Sequence, residues 1–232
     1  MHQPNTSTST QPPVKPKRER RKNARPAELL DAALRLFVEK GYAATKVEEV
    51  AKLAGVSKGT LFLYFASKEH LFKAVVRENI SQRFAEISNN LKDYQGSSAD
   101  LIRIGLRAWW DRIGSTSASG ITKLMITEEN NFPELAAFYS KEVAEPIHAL
   151  IEETLQKGID RGEFRPIDVQ QGVYFVLAPM LYLVIRKHSP ITYCTHNKKI
   201  APDAFINAQI DNVLYGLCLH SQEKPKLPSE QL

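Results

Sequence analysis

The apolar residues near the start of the chain recur with the spacing of one helical face. After Pro26 they stand at i, i+3, i+4, i+7 and i+8. These positions are Leu29, Ala32, Ala33, Leu36 and Phe37. Pro26 suits the first turn of a helix and Gly41 suits its end. The pattern therefore predicts a first helix from Pro26 to about Gly41.

Three further helices are predicted up to about residue 91, and the first two of them are short. Thr45 with Glu48 three residues later has the pattern of a capping box that opens the second helix. After a turn at Gly55, Ser57 is the expected N-cap of a third helix. Ser67 is the expected cap of a long fourth helix. Its apolar face comprises Leu71, Phe72, Val75, Val76, Ile80, Phe84, Ile87 and Leu91.

The chain after Gly96 also follows helical patterns. Further helices are predicted from an apolar stripe at 102–113, from Pro133 to near Gly162 with a bend at Pro146, from 168 to about 188, and from 203 to 220. No stretch shows sustained period-two alternation, so no strand is expected. The predicted fold class is all-α.

Two short helices joined by a glycine-containing turn and packed on a first helix form a helix-turn-helix unit. With Leu61 and Phe65 buried, the outer side of the third helix carries Ser57, Lys58, Gly59, Thr60, Leu63 and Tyr64. Glycine lets a backbone approach a phosphate or a base edge, while threonine, leucine and lysine suit base contacts. Lys68 opens the fourth helix, where a cation beside amide groups suits phosphate. The alternative is a helical hairpin with a polar outer face.

Charge is concentrated before the first helix. The net charge is +5, and the segment from Val14 to Arg25 carries seven basic residues against Glu19 alone. The remainder of the chain is therefore close to neutral. We expect this basic arm to lie along phosphates, and the alternative is a solubilising tail.

Other function classes find little support. Cys194 and Cys218 form no CxxC pair, and the N-terminus has no apolar segment typical of a secretory signal. The longest apolar run, 173–185, is shorter than the roughly 20 residues that span a bilayer. No HExxH, GxxxxGK[ST] or GxSxG motif occurs, and His188, Cys194 and His196 are poorly spaced for a metal. We expect a cytoplasmic protein that is not an enzyme, with no cofactor, metal or membrane partner.

The segment ATKVEEVAKLAGVSKGTLFLYFASKEHLF closely resembles the DNA-binding segment of the tetracycline-repressor (TetR/AcrR) family of bacterial transcription regulators, roughly from Pro26 to Val75. The resemblance implies that Thr45 and Lys46 touch phosphates and that Lys68 clamps the DNA backbone. It also implies a set of residues in or beside the major groove, namely Ser57, Lys58, Gly59, Thr60, Leu63 and Tyr64. The chain departs from the family at Phe62, where a tyrosine is usual, so Phe62 is expected only to pack.

The resemblance further implies a homodimer formed through the last two helices. Gly172, Ala178 and Gly216 would allow close helix approach. Apolar area would come from Val169, Val173, Val176, Ile206, Ile210, Val213 and Leu217. The middle helices would enclose an unknown small hydrophobic effector. Candidate lining residues are Leu106, Trp109, Trp110, Met125, Phe138, Tyr139, Phe175 and Tyr182. Each of these side chains could instead belong to an ordinary core.

The predicted organisation has four parts: a disordered basic arm at 1–25, a helix-turn-helix domain at 26–75, a helical ligand-binding and dimerisation domain at 76–221, and a disordered tail at 222–232. The first hypothesis is a repressor that a hydrophobic ligand releases from palindromic double-stranded operator DNA. The alternative is an all-α small-molecule-binding or catalytic protein that has lost DNA binding.

Overall fold

The computed structural model describes residues 19–189 and 200–218, with side chains from Pro26 onward. Within these residues the chain is all-α, as predicted, and the only β-type pairing is an isolated bridge between Phe164 and Cys218. The helices are α1 Glu19–Ala44, α2 Val47–Leu53, α3 Lys58–Phe62, α4 Lys68–Val76, α5 Gln82–Lys92, α6 Ser98–Trp109, α7 Ser119–Glu128, α8 Pro133–Tyr139, α9 Glu145–Asp160, α10 Val169–His188 and α11 Pro202–Leu217.

Helices α1 to α4 form the N-terminal unit around one set of buried side chains. Phe37 of α1 lies edge-on to Phe72 of α4, with ring centroids 5.2 Å apart, and both side chains are fully buried. Leu61 from α3 and Val50 from α2 are also fully buried in this cluster. The packing therefore fixes the short helices α2 and α3 against α1 and α4, as the apolar pattern predicted.

The beginning of α1 differs from the prediction. The helix starts at Glu19 and contains Pro26, so the prediction that Pro26 opens it is wrong. At the other end, Gly41 has a φ of +83° and interrupts the helix, as predicted. Residues 1–18 and the side chains of 19–25 lie outside the described part, and with them the basic arm. The predicted tail at 222–232 lies outside it as well.

The start of α2 also differs from the prediction. Lys46, not Thr45, is the N-cap, and its backbone N–H donates to the carboxylate of Glu49 over 3.4 Å. Thr45 is 1% exposed, and its hydroxyl bonds the carbonyls of Leu36 at 3.1 Å and Gly41 at 2.7 Å. Thr45 thus closes the corner between α1 and α2. The predicted caps Ser57 and Ser67 do accept from backbone N–H groups three residues on, those of Thr60 and His70, each over 3.0 Å.

Three π-helical turns interrupt the helices, and the sequence pattern predicted none of them. Arg77–Ser81 joins α4 to α5 in one continuous rod, Trp110–Gly114 extends α6, and Ser140–Ala144 joins α8 to α9 just before Pro146. Helix α7 was also missed. It packs on α1 and α10 and so connects the N-terminal unit to the rest of the chain.

A second core lies between α6, α9, α10 and α11. The residues expected to supply dimer area are largely buried inside this subunit core, which is a correction. Those that are fully or nearly fully buried are Val173, Val176, Ile206, Ile210 and Leu217. Gly172 likewise packs within the subunit, against Leu155 and Ile167.

Helix α10 is longer than the apolar run in the sequence suggested. It has 20 residues and a mean hydropathy of 1.3 over its most apolar window, and so is long and apolar enough to span a membrane, which corrects the expectation of a segment too short to do so. About a third of that window is buried within the subunit. Core helices of soluble proteins meet the same criterion, so length and hydropathy do not by themselves make α10 a membrane span.

Candidate DNA-binding and ligand-binding sites

The N-terminus of α3 is capped by the side chain of Ser57 and is sterically open at Gly59. Ser57 Oγ accepts from the backbone N–H of Thr60 and lies 2.9 Å from the Thr60 hydroxyl. Ser57, Lys58 and Gly59 are exposed, and a Cβ at Gly59 would meet only the Ser57 hydroxyl at 3.8 Å. The geometry therefore presents a polar, sterically open helix end on the surface, consistent with close approach of another molecule.

Two apolar side chains stand on the outer side of α3 and its C-terminal turn. Leu63 is 83% exposed and Phe62 is 41% exposed, while Tyr64 is half-buried. Phe62 is therefore packed over only part of its surface, and its expected lack of a DNA contact stays a prediction. The Lys58 ammonium lies 5.8 Å from the centroid of the Phe62 ring, which gives the exposed ring a cationic neighbour. Exposed apolar side chains in this position suit contact with thymine methyl groups.

The cation of Lys58 has an internal partner. Its Nζ lies 2.6 Å from Glu48 Oε1 on α2, and both side chains are about half exposed. The hydrogen bond from Lys58 holds the pKa of the Glu48 carboxyl below its ordinary value. The same relationship holds between Lys40 and Glu49, which are 2.9 Å apart and where the pKa of Glu49 is also lowered. Helix α2 therefore bears two carboxylates, each paired with a lysine of a neighbouring helix.

Lys68 has an internal role that the sequence did not suggest. Its ammonium donates to the carbonyls of Tyr42 at 2.9 Å, Ala43 at 3.2 Å and Thr45 at 3.2 Å, and so uses all three of its N–H groups. It also lies 4.5 Å from the centroid of the Tyr42 ring. Burial lowers the pKa of Lys68. Lys68 thus anchors the corner between α1 and α2 to the start of α4.

The sequence-predicted DNA contacts fall into two groups. Thr45 and Lys68 are committed to internal carbonyls, so their side chains point to a role in positioning. The others lie on or near the surface of α2 and α3: Lys46, Ser57, Lys58, Gly59, Thr60, Leu63 and Tyr64. These residues lie on or beside two helices, α2 and α3, that pack against each other.

An apolar cavity of about 270 Å³ lies between α5, α6, α9 and α10 and the π-helical turn Ser140–Ala144. Its walls are almost entirely aliphatic and aromatic, and polar atoms come from a few side chains. These are Thr122, Tyr139, His148 and Thr154. The Tyr139 hydroxyl is paired with that of Thr122 at 2.8 Å, and burial raises the pKa of Tyr139 to about 12. A cavity of this chemistry suits an apolar ligand with at most a few polar groups.

The predicted lining residues are divided between the cavity, the core and the surface. Leu106, Trp109 and Tyr139 line the cavity. Trp110 and Met125 are buried in the cores outside it, which corrects their assignment.

Three further residues, Phe138, Phe175 and Tyr182, were predicted to line the cavity, but their side chains face elsewhere. Phe175 is 67% exposed and Tyr182 is 40% exposed on the outer side of α10, so neither lines the cavity. Phe138 lies beside the cations of Lys73 and Arg77, 5.3 Å and 5.0 Å from its ring centroid. The rest of the lining is largely aliphatic and comes from several helices, with residues such as Ile87 of α5 and Ile151 of α9 whose helical spacing also fits an ordinary core.

The residues considered for a metal do not form a site in the described part of the chain. No group of three or more His, Cys, Asp or Glu side chains suitable for a metal ion occurs there. His188 Nε2 lies 2.8 Å from the Ser119 hydroxyl, at the end of α10. Cys194 and His196 lie outside the described residues.

Two family models match the chain. Residues 29–75 match the model described as bacterial regulatory proteins of the tetR family, and residues 93–194 match a tetracyclin repressor-like C-terminal domain. Among curated relatives, the HTH-type transcriptional regulator RutR of Escherichia coli (strain K12) is 28% identical over 202 residues, covering 85% of this chain and 90% of RutR.

Solved structures show the same fold. The ketosteroid transcriptional regulator KstR2 of Mycobacterium tuberculosis superposes with a TM-score of 0.68 at 22% identity, covering 85% of this chain and 97% of KstR2. The transcriptional regulator FadR of Bacillus subtilis, solved in complex with stearoyl-CoA, has a TM-score of 0.62 at 20% identity, covering 84% and 99% of the two chains. The exposed end of α3, the apolar cavity and both family matches lead to one conclusion: the chain belongs to the TetR family of DNA-binding transcriptional regulators.

Proposed function

We propose that this protein is a homodimeric repressor that leaves a palindromic operator when a small apolar effector enters the cavity between α5, α6, α9 and α10. The observation that carries the proposal is the continuous rod from Lys68 to Lys92. Its first part, α4, packs on α1 within the N-terminal unit that carries α2 and α3. Its second part, α5, supplies Phe84, Ile87 and Leu91 to the cavity wall. One element therefore meets both sites.

The DNA-reading surface is the exposed side of α2 and α3. Lys58 and Thr60 are the proposed polar base readers, Leu63 the apolar one, and Lys46 a phosphate contact. Thr45 and Lys68 are assigned to positioning, because their polar side-chain groups bond internal carbonyls. The basic residues between Lys15 and Arg25 are proposed to add phosphate contacts next to this surface.

The dimer is proposed to form on the outer side of α10 and α11. Aromatic side chains are exposed there at helical spacing: Tyr174, Phe175, Tyr182 and Tyr215. Ala178 and Gly216 are exposed between them and permit close helix approach. A two-fold dimer buries the same patch from both subunits. This surface explains the high hydropathy of α10 without a membrane, so the proposed location is the cytoplasm.

Effector binding is proposed to act by tilting the rod. A molecule that enlarges the cavity displaces α5, and α4 follows because the π-helical turn Arg77–Ser81 joins them. Palindromic operators require two recognition helices about one helical turn of DNA apart, roughly 34–36 Å, so a small change in spacing lowers affinity. A tenfold release corresponds to about 1.4 kcal/mol of differential effector affinity. The proposal assigns the protein no catalytic step and no cofactor.

The experiment for DNA binding is a gel shift with the DNA upstream of the protein's own gene, followed by footprinting. Replacing Leu63 with serine removes an 83% exposed side chain and leaves the core intact. We expect unchanged thermal stability with at least a tenfold loss of specific binding, from the roughly 1–3 kcal/mol of a good base contact. Wild-type affinity in this variant would overturn the assignment of α3 as the reader.

The experiment for the dimer is sedimentation velocity on a Phe175→Asp variant. A carboxylate at the centre of an apolar interface lacks a partner and is costly to bury, so the variant is expected to sediment as a monomer. The matched control is Tyr64→Asp, which changes an aromatic residue on the DNA-binding unit and leaves α10 unaltered. A wild-type sedimentation coefficient for Phe175→Asp would place the interface elsewhere.

A further inference from the structure

A second pocket of about 230 Å³ adjoins the apolar cavity. It lies where the C-terminus of α5, the start of α6 and the C-terminal half of α9 meet. The two spaces share four wall residues, Leu91, Leu101, Leu150 and Thr154. The cavity therefore has a neighbour separated from it by no more than a layer of side chains.

The chemistry changes sharply across this shared wall. The cavity has no charged residue in its lining. The second pocket is lined by three basic side chains, Lys92, Lys157 and Arg161, against one carboxylate, that of Glu153. Its lining thus has a formal charge of +2. An apolar cavity beside a basic pocket, with a shared wall of side chains, matches a ligand with two different ends.

The acidic groups near the second pocket are already engaged. Glu153 pairs with Lys157 at 2.6 Å, within one turn of α9. Glu163 accepts the backbone N–H of Ser98 at 2.5 Å, and so caps the start of α6, while Arg161 lies 3.7 Å from its other oxygen. The Arg161 guanidinium also donates to the carbonyl of Gly96 at 3.3 Å. Arg161 is thus held at the pocket by a long ion pair and a long hydrogen bond, which leaves the guanidinium accessible to a stronger anionic partner.

We propose that the effector is an amphipath, with an apolar chain in the cavity and an anionic head group at Lys92, Lys157 and Arg161. This inference rests on the cavity being the effector site proposed above. A group the size of water occupies about 30 Å³, so the cavity volume of about 270 Å³ holds a chain of about nine heavy atoms. The head group is a carboxylate or a phosphate, since both are recognised by guanidinium and ammonium groups.

The test compares three probes with chains of equal length, decanol, decanoate and decanoyl-CoA. Trp109 lines the cavity, so its fluorescence reports binding to the full-length protein directly. We expect at least one of the two anionic probes to bind tenfold or more tightly than decanol, with an affinity that falls as salt rises. The affinity for decanoate compared with the affinity for decanoyl-CoA then shows whether the preferred head group is a simple carboxylate or one that bears phosphate.

The matching variant is the triple change Lys92→Gln, Lys157→Gln and Arg161→Gln. We expect it to lower the affinity of the preferred anionic probe about tenfold and to leave decanol binding unchanged, because three partly exposed contacts are removed. The control is Arg107→Gln, an exposed arginine of α6 that lines neither pocket. Circular dichroism melting establishes that each variant is folded.

The outcomes separate this inference from the proposed function. Equal affinity for the three probes, or an anionic probe unaffected by the triple change, overturns the anionic head group and leaves an apolar effector in place. Failure of every probe to bind a folded protein overturns the amphipath altogether. Operator binding by the wild-type protein, measured without any probe, decides the DNA-binding proposal independently of these results.

Discussion

Arg77 and Glu142 form a two-point ion pair between two facing π-helical turns. Arg77 Nη2 lies 2.8 Å from Glu142 Oε1, and its Nε lies 3.3 Å from Oε2. The same turns contribute Ile80 and Val143 to the cavity wall. The hydrogen bonds lower the pKa of Glu142 and raise that of Arg77. Because π-helical turns are often found at functional sites, we assign this pair to the communication between cavity and DNA-binding unit.

Replacing Glu142 with glutamine should therefore weaken induction more than it weakens folding. The pair is partly exposed, so the expected change in the free energy of unfolding is below about 1 kcal/mol. Release of operator DNA by a cavity ligand such as decanoyl-CoA should fall several-fold. The control is Glu86→Gln, which breaks the pair with Arg112 at 3.3 Å and leaves both facing turns joined. An unchanged induction ratio in Glu142→Gln would show that the rod is moved by other contacts.

The ion pair between Lys58 and Glu48 should restrain DNA binding. Glu48→Gln removes a carboxylate that holds the Lys58 ammonium and repels the DNA phosphates, so we expect higher affinity for all DNA sequences. Lys58→Ala removes a proposed base contact, so it should lower affinity for the specific site by about 1–3 kcal/mol, whereas loss of a phosphate contact would instead reduce the slope of log K against log salt by about 0.9. Fluorescence anisotropy over a salt series measures both effects. Lower affinity in Glu48→Gln would contradict this view of the pair.

Two helical glycines should respond oppositely to alanine. A Cβ at Gly105 on α6 would meet Leu91 at an ordinary 3.6 Å, so Gly105→Ala should raise stability by up to about 1 kcal/mol. A Cβ at Gly158 on α9 would fall 2.1 Å from the buried ring of Phe164, so Gly158→Ala should cost about 1–3 kcal/mol. Thermal unfolding at one fixed protein concentration tests both, since a dimer's midpoint depends on concentration. The same sign in both variants would contradict the packing described.

His188 should make the protein less stable in mild acid. Burial lowers the pKa of His188, and the charges of Lys187 and Lys123 lower it further. The unfolded chain then binds this proton more readily than the folded one, so the contribution of His188 is complete above its unfolded pKa of about 6.5 and is lost as pH falls through the lowered value.

The measurement is the melting temperature of wild type and His188→Gln at pH values above and below this range. Glutamine keeps a polar group near the Ser119 hydroxyl and does not titrate. Wild type should lose more stability than the variant on acidification, and parallel losses would show that other groups dominate.

The local signals of the DNA-binding unit were readable because each depends on a few adjacent residues. Ser57 and Ser67 cap helices through contacts three residues away, and Gly41 breaks a helix through its own backbone. The internal role of Lys68 was not predicted, because its three acceptors lie 23 to 26 residues earlier in the chain. The spacing of apolar residues within one helix cannot predict a contact between residues so far apart in the chain.

The cavity was harder to predict, because α10 is apolar on more than one side. Periodicity places Phe175 and Val176 next to each other on that helix without indicating which one faces inward. The structure turns Val176 to the cavity and Phe175 to solvent. Packing of α10 on α7, α9 and α11 decides the rotation, and that information lies in residues distant along the sequence.

The three carbonyl contacts of Lys68 set where this protein can be cut and rejoined. Because the first residue of α4 holds the corner between α1 and α2, a hybrid that exchanges the DNA-binding unit for that of another regulator must carry the native start of α4 with it. A junction before Lys68 would separate the anchor from its acceptors. A junction after Val76, just before the π-helical turn Arg77–Ser81, would transfer the complete DNA-binding unit. The part of the chain that forms the cavity would then keep its own π-helical turn.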